Sequence, residues 1–350
     1  MKVDAKLTYE TIDEIGVGKG MNSRVFTARD FQFAGLIAVK EIPKTKFGNA
    51  LDEYYREAQV LFHSASPNVV RVYYAGESAT DICLAMPFYP AGSLADRIVD
   101  GPLKLSETVR VALGVLNGLS HVHRCKFLHL DVKPSNVLFE NDGTPLLADF
   151  GQSRVVNNSG LVQFPDMYMH AMPPETYLSG TAGIHSDIYQ VGLTLYRAVN
   201  GEPFYKQQED AIQPGTLEAK ITKGKFPDRN AFLPHVPQRL RTAIRKALRR
   251  DPADRYASAY DFIDELSRIS FPLDWNVEAQ NVNGQAWRAR KNSNTELLVR
   301  RLVDSSALHS IEVYTVSAAG QRRLGERELW KKKLVSFDAD NHLTELFESL

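Results

Sequence analysis

The feature that most constrains this 350-residue chain is a polar stretch between two apolar runs, residues 129–138, which reads HLDVKPSNVL. The stretch places the carboxylate of Asp131, the ammonium group of Lys133 and the amide of Asn136 within six residues. An aspartate and a lysine two positions apart are common in ordinary turns. The amide of Asn136, together with the sequence DFG at residues 149–151, favours a site with its own chemistry instead.

Residues 9–40 have the pattern of a strand, a glycine-containing turn and two further strands. The turn, residues 18–23, lies between strands, whereas the glycine loop of a dinucleotide-binding fold opens a helix. Glycine allows backbone N–H groups to approach phosphate oxygens without an intervening side chain. A glycine turn alone is weak evidence, and Lys40 by itself would indicate only a solvent-exposed lysine at the end of a strand.

Apolar residues at helical spacing predict a helix over residues 50–62, which carries Glu57. Periodicity alone favours a solvent-exposed position for Glu57. The chain then breaks at residues 67–68, and residues 69–74 and 82–86 predict two more strands. We therefore expect a small lobe of five strands and one helix.

A stiff connector, residues 87–92, separates this lobe from a helix-rich region. Helices are predicted over residues 94–99, 106–125, 185–199, 237–250 and 258–269. Short strands are predicted over residues 138–139 and 146–148. Residues 151–172 have no periodicity and are predicted to form a long loop, which inside a compact domain is usually functional.

Polar residues mark both ends of the helix predicted over residues 106–125. Ser106 is expected to cap its N-terminus, with Glu107 in the first turn. His121 and His123 lie near its end, and their spacing is not that of common metal ligands. The sequence therefore favours packing or surface positions for both histidines.

Residues 271–350 contain no pattern that indicates a function. Strands over residues 287–290, 296–302 and 311–316 and a closing helix over residues 341–350 predict a small α+β unit. Trp275 and Trp287 are expected in the core of this unit rather than on a binding face. The unit is either a structural extension packed on the preceding region or a recognition domain for a protein partner or substrate.

The chain carries 42 basic and 42 acidic residues, which argues against a nucleic-acid or anionic-membrane partner. The lysine run at residues 331–333 is therefore interpreted as a solvated face. Cys83 and Cys125 show no metal-type pairing, as expected of a reduced protein. No apolar run approaches the roughly 20 residues needed to span a bilayer, and residues 1–6 lack the apolar core of a signal peptide. These features predict a cytoplasmic protein without a membrane partner.

Taken together, the motifs over about residues 9–270 resemble those of the eukaryotic-type, or Hanks-type, serine/threonine protein kinases. They follow in the order of that family: Gly18-x-Gly20-x-x-Ser23-x-Val25, Ala38-Val39-Lys40, Glu57, His129-Leu130-Asp131, Asp149-Phe150-Gly151, Pro173-Pro174-Glu175, Asp187 and Arg255. The resemblance implies an α+β bilobal fold: a β-rich N-lobe over about residues 9–86, a hinge over residues 87–92 and a helical C-lobe over residues 93–270. Residues 271–350 lie outside it, as a small β-rich accessory domain.

The resemblance also implies ATP and Mg²⁺ as cofactors and a protein as the substrate. The residues implied to contact ATP are Val17, Gly18, Lys19, Gly20, Ser23, Val25, Ala38, Lys40, Met86, Pro87, Tyr89 and Leu138. The implied catalytic residues are Asp131 as base, Lys133 at the transferred phosphate, and Lys40 with its partner Glu57. The implied Mg²⁺ ligands are Asn136 and Asp149. The pattern Asp-x-Lys-x-x-Asn is typical of serine/threonine rather than tyrosine kinases.

Three positions depart from the pattern of the family. Leu130 replaces an arginine that in many relatives pairs with a phosphorylated activation loop, so we predict activity without that phosphate. Tyr168 occupies the place of a threonine that touches the catalytic aspartate and lysine, which leaves the choice of acceptor hydroxyl less secure. Ser23 replaces the last glycine of the phosphate loop, and its small side chain keeps close approach to phosphate feasible.

Two other functions are compatible with the same fold. A pseudokinase would bind nucleotide and signal by shape; against it stand the residues Lys40, Glu57, Asp131, Asn136 and Asp149. A kinase for small molecules is disfavoured by Glu175 and Arg255, because their implied pairing supports a platform for protein substrates.

Overall fold

The computed structural model describes residues 7–16, 23–47, 55–164, 172–281, 284–324 and 330–350. A β-rich lobe, a helical lobe and a smaller sheet-and-helix unit follow one another along the chain. This order confirms the α+β bilobal fold with an additional C-terminal unit. None of the helices within the described ranges is long and apolar enough to cross a membrane.

The N-terminal lobe is one antiparallel sheet with a single α-helix beside it. The strands are β1 Tyr9–Ile15, β2 Arg24–Asp30, β3 Gly35–Pro43, β4 Tyr74–Glu77 and β5 Asp81–Pro87. They lie in the order β1-β2-β3-β5-β4. The helix, α1, spans Arg56–His63 and buries one face through Ala58, Val60 and Leu61. The first part of the helix predicted over residues 50–62 lies outside the described residues.

The strand predicted over residues 69–74 is wrong in position, because β4 begins only at Tyr74. Val69 and Val70 are buried, at 1% and 2% exposure, in a core cluster that contains side chains of both lobes. The backbone N–H of Val70 donates to Leu147 O at 3.0 Å, and Leu147 N donates to Asn68 O at 2.8 Å. An apolar run indicates burial but not its backbone partner, which here belongs to the other lobe.

The C-terminal lobe is mainly helical. Its helices are α2 Leu94–Ile98, α3 Leu105–Arg124, α4 Pro174–Ser179, α5 Ile184–Asn200, α6 Glu202–Asp210, α7 Leu217–Thr222, α8 Gln238–Ala247 and α9 Ala259–Ser267. Short strands form three antiparallel pairs: β6 Phe127–Leu128 with β9 Arg154–Val155, β7 Val137–Phe139 with β8 Pro145–Leu147, and β10 Val162–Gln163 with β11 Thr181–Ala182. The segment predicted as an irregular loop over residues 151–172 therefore contains β9 and β10. Helix α5 is buried along most of its length and supports the loop before β7.

The expected cap of α3 is wrong. The helix begins at Leu105, so Ser106 lies inside its first turn, and Lys104 at the cap position provides no side-chain hydrogen bond. The cap comes from a distant residue instead: Asp274 accepts from Ser106 N at 3.0 Å and from Ser106 Oγ at 2.5 Å. A carboxylate at a helix N-terminus satisfies free N–H groups and interacts favourably with the helix dipole.

The C-terminal unit is a sheet covered on one face by a helix. Its strands are β12 Asn276–Asn281, β13 Gly284–Asn292, β14 Thr295–Val303, β15 His309–Ser317, β16 Gly320–Arg323 and β17 Lys331–Leu334, and its helix is α10 Ser336–Ser349. The strands follow the order β12-β13-β14-β15-β16, and β17 also pairs with β15. Trp275 and Trp287 are both buried with Leu343 of α10, which confirms that they belong to the core. Strands β12, β16 and β17 were not predicted.

Buried side chains connect this unit to the helical lobe. Trp287 Nε1 donates to Nδ1 of His235 at 3.2 Å, and the ring of Phe347 lies 6.2 Å from that of His235. Burial, assisted by the nearby guanidinium of Arg241, lowers the pKa of His235 to about 3. The neutral imidazole is therefore the form that accepts this bond. Val277 packs against the cores of both parts.

Candidate active site

The candidate site is assembled by segments from both lobes. Lys40 comes from β3 and Glu57 from α1 of the N-terminal lobe. Asp131, Lys133 and Asn136 lie in the loop between β6 and β7, and Asp149 follows β8. The N–H of Ala148 donates to the carbonyl of Asn136 at 2.9 Å, which holds the two C-lobe segments side by side.

Lys40 is the link between the lobes. Its Nζ lies 2.7 Å from Glu57 Oε1 and 2.7 Å from Asp149 Oδ1. The Glu57 side chain is only 7% exposed, so the surface position that periodicity favoured is wrong. Its burial places α1 against the site, with a carboxylate ready to hold Lys40.

Burial and ion pairing shift the pKa values of Lys40 and Asp149 in opposite directions. Burial disfavours the ammonium form of Lys40, but Asp149 and Glu57 outweigh it and raise the pKa of Lys40. Partial burial opposes ionisation of Asp149, but the Lys40 ammonium prevails and lowers the pKa of the Asp149 carboxyl. A stable positive charge therefore lies beside a carboxylate whose side chain is still 42% exposed.

Asp131 is a buried carboxylate with one free oxygen. Its Oδ2 accepts from Lys133 Nζ at 2.8 Å and from Asn136 Nδ2 at 2.9 Å. Its Oδ1 is buried and has no hydrogen-bond partner among the residues that the structure describes. Burial raises the pKa of Asp131 to about 6, although Lys133 favours the ionised form. The group is thus ionised at neutral pH, and Oδ1 is its oxygen without a hydrogen-bond partner in the described part of the chain.

The backbone around Asp131 is held by a buried carboxylate on α5. Asp187 accepts from Leu130 N at 2.7 Å and from His129 N at 3.0 Å. The same carboxylate lies 2.7 Å from Nε2 of His123, which explains that histidine as a packing residue. Leu130 adopts a left-handed conformation with φ of 66°, which is rare for a bulky residue and is tolerated where surrounding bonds enforce it.

Leu130, which replaces the arginine of the family pattern, lies in a buried apolar cluster. Its side chain is fully buried and packs with Leu128, Val162, Phe164 and Ala182. Val162 and Phe164 belong to the segment that follows Asp149. The leucine therefore joins the loop carrying Asp131 to this segment by apolar contact.

The residues implied to surround adenine lie at the junction of the lobes. Ala38 is paired with Met86 across β3 and β5, and Pro87 ends β5. Leu138 lies beside the connector, because Phe139 N donates to Gly92 O at 3.2 Å.

Other implied ATP contacts are placed less completely. Val25 is paired with Lys40, Tyr89 is buried, and Ser23 immediately precedes β2. Val17, Gly18, Lys19, Gly20 and Tyr168 lie outside the described residues.

Glu175 and Arg255 form a buried ion pair at the start of α4. Arg255 Nη2 lies 2.7 Å from Glu175 Oε2, and Nη1 lies 2.8 Å from Oε1. The remaining guanidinium hydrogens donate to the carbonyls of His185, Arg249 and Arg250. All five donors of this side chain are thereby used.

Sequence reasoning missed Gln190, a buried residue of α5 that bonds to the loop carrying Asp131. The sequence indicates it only as a polar residue three positions after Asp187, in a helix that is otherwise mostly apolar and buried. That signal does not reveal which backbone groups the amide meets.

The donor set fits Mg²⁺, a hard cation that in nucleotide sites takes one or two protein oxygens together with phosphate oxygens. Asp149 supplies a partly exposed carboxylate. The Nδ2 of Asn136 is used in bonds to Asp131 O and Oδ2, which leaves the amide oxygen as its acceptor. No larger cluster of His, Cys, Asp or Glu suited to a metal occurs in the described part of the chain.

The family model described as protein kinase domain matches residues 9–266. A probable serine/threonine-protein kinase PknB of Lactococcus lactis is 29% identical over 283 residues, covering 78% of this chain and 44% of the relative. Serine/threonine-protein kinase PrkC of Bacillus subtilis is 25% identical over 336 residues, covering 92% of this chain and 49% of the relative. Serine/threonine-protein kinase PknL of Mycobacterium tuberculosis is 29% identical over 266 residues, covering 73% and 65%. The chain thus spans about half to two thirds of the length of these relatives.

Proposed function

Because this chain belongs to the protein kinase domain family, we propose that it transfers the γ-phosphate of ATP to serine or threonine hydroxyls of protein substrates. The observation that carries the proposal is the free Oδ1 of buried Asp131, next to a complete Lys40–Glu57–Asp149 set. The names of the relatives support the serine/threonine assignment. Lys133, which contacts Asp131 at 2.8 Å, supports it further.

Asp131 acts as the base. Its Oδ1 accepts the proton of the incoming hydroxyl, while Lys133 and Asn136 hold Oδ2 and so fix the direction of the carboxylate. A pKa of about 6 keeps the group ionised at neutral pH and close to the range where proton transfer is efficient. Lys133, already beside the carboxylate, contacts the phosphate as it is transferred.

Lys40 contacts the ATP phosphates as a fixed positive charge, and Glu57 holds it there. Asn136 and Asp149 would hold Mg²⁺ through their side-chain oxygens. When bound, Mg²⁺ offsets the negative charge that develops on the transferring group. Val25, Ala38 and Leu138 would enclose the adenine ring, with Met86, Pro87 and Tyr89 at its edge. The loop of residues 17–23 would cover the phosphates.

Transfer of the labelled γ-phosphate from ATP to a protein substrate, followed by identification of the phosphorylated amino acid, tests this function. Purified wild-type protein should label serine or threonine, whereas the Asp131→Asn and Lys40→Ala variants should not. Labelling of tyrosine instead would overturn the choice of acceptor. Transfer by wild type no greater than that of a blank without protein would overturn the enzyme assignment and favour a pseudokinase.

We also propose that activity does not require phosphorylation of the segment after Asp149. The proposal is supported by the apolar cluster that Leu130 shares with Val162 and Phe164, a contact with this segment that requires no phosphate. Ser153 is 1% exposed, so it is inaccessible in this conformation.

The combined variant Ser153→Ala, Ser159→Ala, Tyr168→Phe should therefore retain at least about half of the wild-type kcat, because no phosphate-dependent pairing is lost. Steady-state kinetics measure this. Phosphatase-treated wild-type protein is the matched control and should behave like the variant. A tenfold or greater fall in kcat in either protein would contradict the proposal.

The unit of residues 271–350 is proposed to be a structural extension of the helical lobe. The support comes from the His235–Trp287 bond, the shared packing of Val277 and the Asp274 cap on α3. Deleting residues 271–350 should lower the thermal unfolding midpoint, because the loss of these contacts exposes apolar surface of the helical lobe and the imidazole of His235. An unchanged midpoint with an altered choice of substrate would favour a recognition domain instead.

A further inference from the structure

We propose that Gln190 is a positioning residue for the phosphotransfer, because its side-chain amide holds the peptide groups on both sides of Asp131. The catalytic consequence rests on the proposed function. The hold on the backbone is a property of the fold and is testable without ATP.

Gln190 lies on α5 one turn after Asp187 and is 1% exposed. Its Nε2 donates to Leu130 O at 2.8 Å, and its Oε1 accepts from Val132 N at 3.0 Å. A planar amide offers a donor and an acceptor in fixed relation. The opposite orientation of the amide would set N–H against N–H and C=O against C=O, so only this orientation satisfies both backbone groups.

These two hydrogen bonds hold the peptide groups on either side of Asp131. The carbonyl of Leu130 belongs to the peptide group before Asp131, and the N–H of Val132 belongs to the peptide group after it. Holding both groups restricts the backbone dihedral angles of Asp131, so that only its side-chain rotation remains. Lys133 and Asn136 restrict that rotation through Oδ2. Together these contacts set where the free Oδ1 points.

No neighbouring side chain of α5 duplicates this contact. Thr194 lies on the same face, but its hydroxyl reaches Val132 O only at 3.4 Å. Asp187 holds the N–H groups of His129 and Leu130, which lie before the peptide group preceding Asp131. A shorter residue at position 190 would leave a buried C=O and a buried N–H without a partner, and the loop would shift to satisfy them. Small displacements of a catalytic group lower rates strongly.

The test compares Gln190→Met with a matched control, Asn200→Leu. Methionine has a side chain of similar length that stays buried, but this side chain neither donates a hydrogen bond to Leu130 O nor accepts one from Val132 N. Asn200 lies on the same helix, is also 1% exposed, and its amide donates to Tyr196 O at 3.0 Å and accepts from Leu233 N at 2.9 Å. Both variants therefore remove one buried amide, and only Gln190→Met removes one that touches the loop of Asp131.

Amide hydrogen exchange without nucleotide gives the first readout. The Val132 amide should exchange at least about tenfold faster in Gln190→Met and at the wild-type rate in Asn200→Leu. Steady-state kinetics give the second. Gln190→Met should lower kcat about tenfold with the KM values for ATP and protein substrate within about twofold of wild type. Asn200→Leu should lower the thermal unfolding midpoint by about as much as Gln190→Met does, because each removes one buried amide. Its kcat should stay at the wild-type value.

Unchanged exchange at Val132 would overturn the hold on the backbone. Faster exchange with an unchanged kcat, or a fall in kcat matched by Asn200→Leu, would overturn the positioning role. Absence of transfer by wild type would refute the proposed function and with it the catalytic consequence, while the exchange measurement still decides the hold. If Gln190→Met does not fold, Gln190→Leu replaces it in both measurements, because leucine also lacks the acceptor for Val132 N and the donor for Leu130 O.

Discussion

Replacing Asp131 by Asn is expected to lower kcat about 10²–10⁴-fold, the usual contribution of a positioned base. Asparagine has the same shape, and its amide oxygen still accepts from Lys133 Nζ and Asn136 Nδ2 at the position of Oδ2. Its amide nitrogen then occupies the position of the free Oδ1 and is unable to accept a proton. The KM for ATP should stay within about threefold, because Asp131 contributes to the transition state rather than to nucleotide binding.

Kinetics of γ-phosphate transfer combined with direct measurement of ATP binding check this expectation. The Lys40→Ala variant is the informative comparison, because it removes a phosphate contact and should weaken ATP binding as well as turnover. A kcat of Asp131→Asn within about tenfold of wild type would show that Asp131 is not the base. Loss of ATP binding in Asp131→Asn would show that the substitution disturbs the site instead.

Replacing Arg255 by Met is expected to lower the free energy of unfolding by about 3–5 kcal/mol, the usual cost of breaking a buried ion pair from one side. The side chain of Arg255 is fully buried and bonds both oxygens of Glu175. Its removal leaves three backbone carbonyls without this donor, and the Glu175 carboxylate keeps only the hydrogen bond from Ser186 Oγ at 2.7 Å. Arg255→Lys should recover less than half of the loss, because a lysine is a single point charge without the planar fork.

Denaturant unfolding measures this loss, and the exposed pair Arg268–Asp264 supplies the matched control. That pair has the same 2.7 Å separation, but its side chains are 70% and 51% exposed. Arg268→Met should therefore cost only about 0.3–0.5 kcal/mol. Similar losses for the two variants would mean that burial is not what makes the Arg255–Glu175 pair important.

Much of the site was accessible from sequence because its residues lie close together in the chain. Asp131, Lys133 and Asn136 occur in one loop, and their spacing predicted a shared chemistry that the structure places within hydrogen-bond distance. Lys40 and Glu57 required the resemblance to the kinase family, because helical periodicity alone put Glu57 in solvent. The roles of all five residues stay predictions until the variants are measured.

The errors in the fold share one cause, which is that a local pattern does not identify its partner. Val69 and Val70 form an apolar run typical of a strand, but Val70 N donates to Leu147 O of the other lobe instead of joining the N-terminal sheet. Ser106 has the chemistry of a helix cap, but the cap of α3 is provided by Asp274, at a separation of 168 residues. Neither partner is visible from the residues nearby.

The sequence by itself determined the fold family and the chemical groups of the site, because these depend on residue types at short and regular spacings. Only the tertiary structure decided which atoms of those groups are paired and which are free. The contact of Lys40 with Asp149 spans 109 positions, and that of Gln190 with Leu130 spans 60. Such contacts depend on how the lobes and α5 pack, so the free oxygen of Asp131, the burial of Leu130 and the position of Gln190 emerge only when the chain is folded.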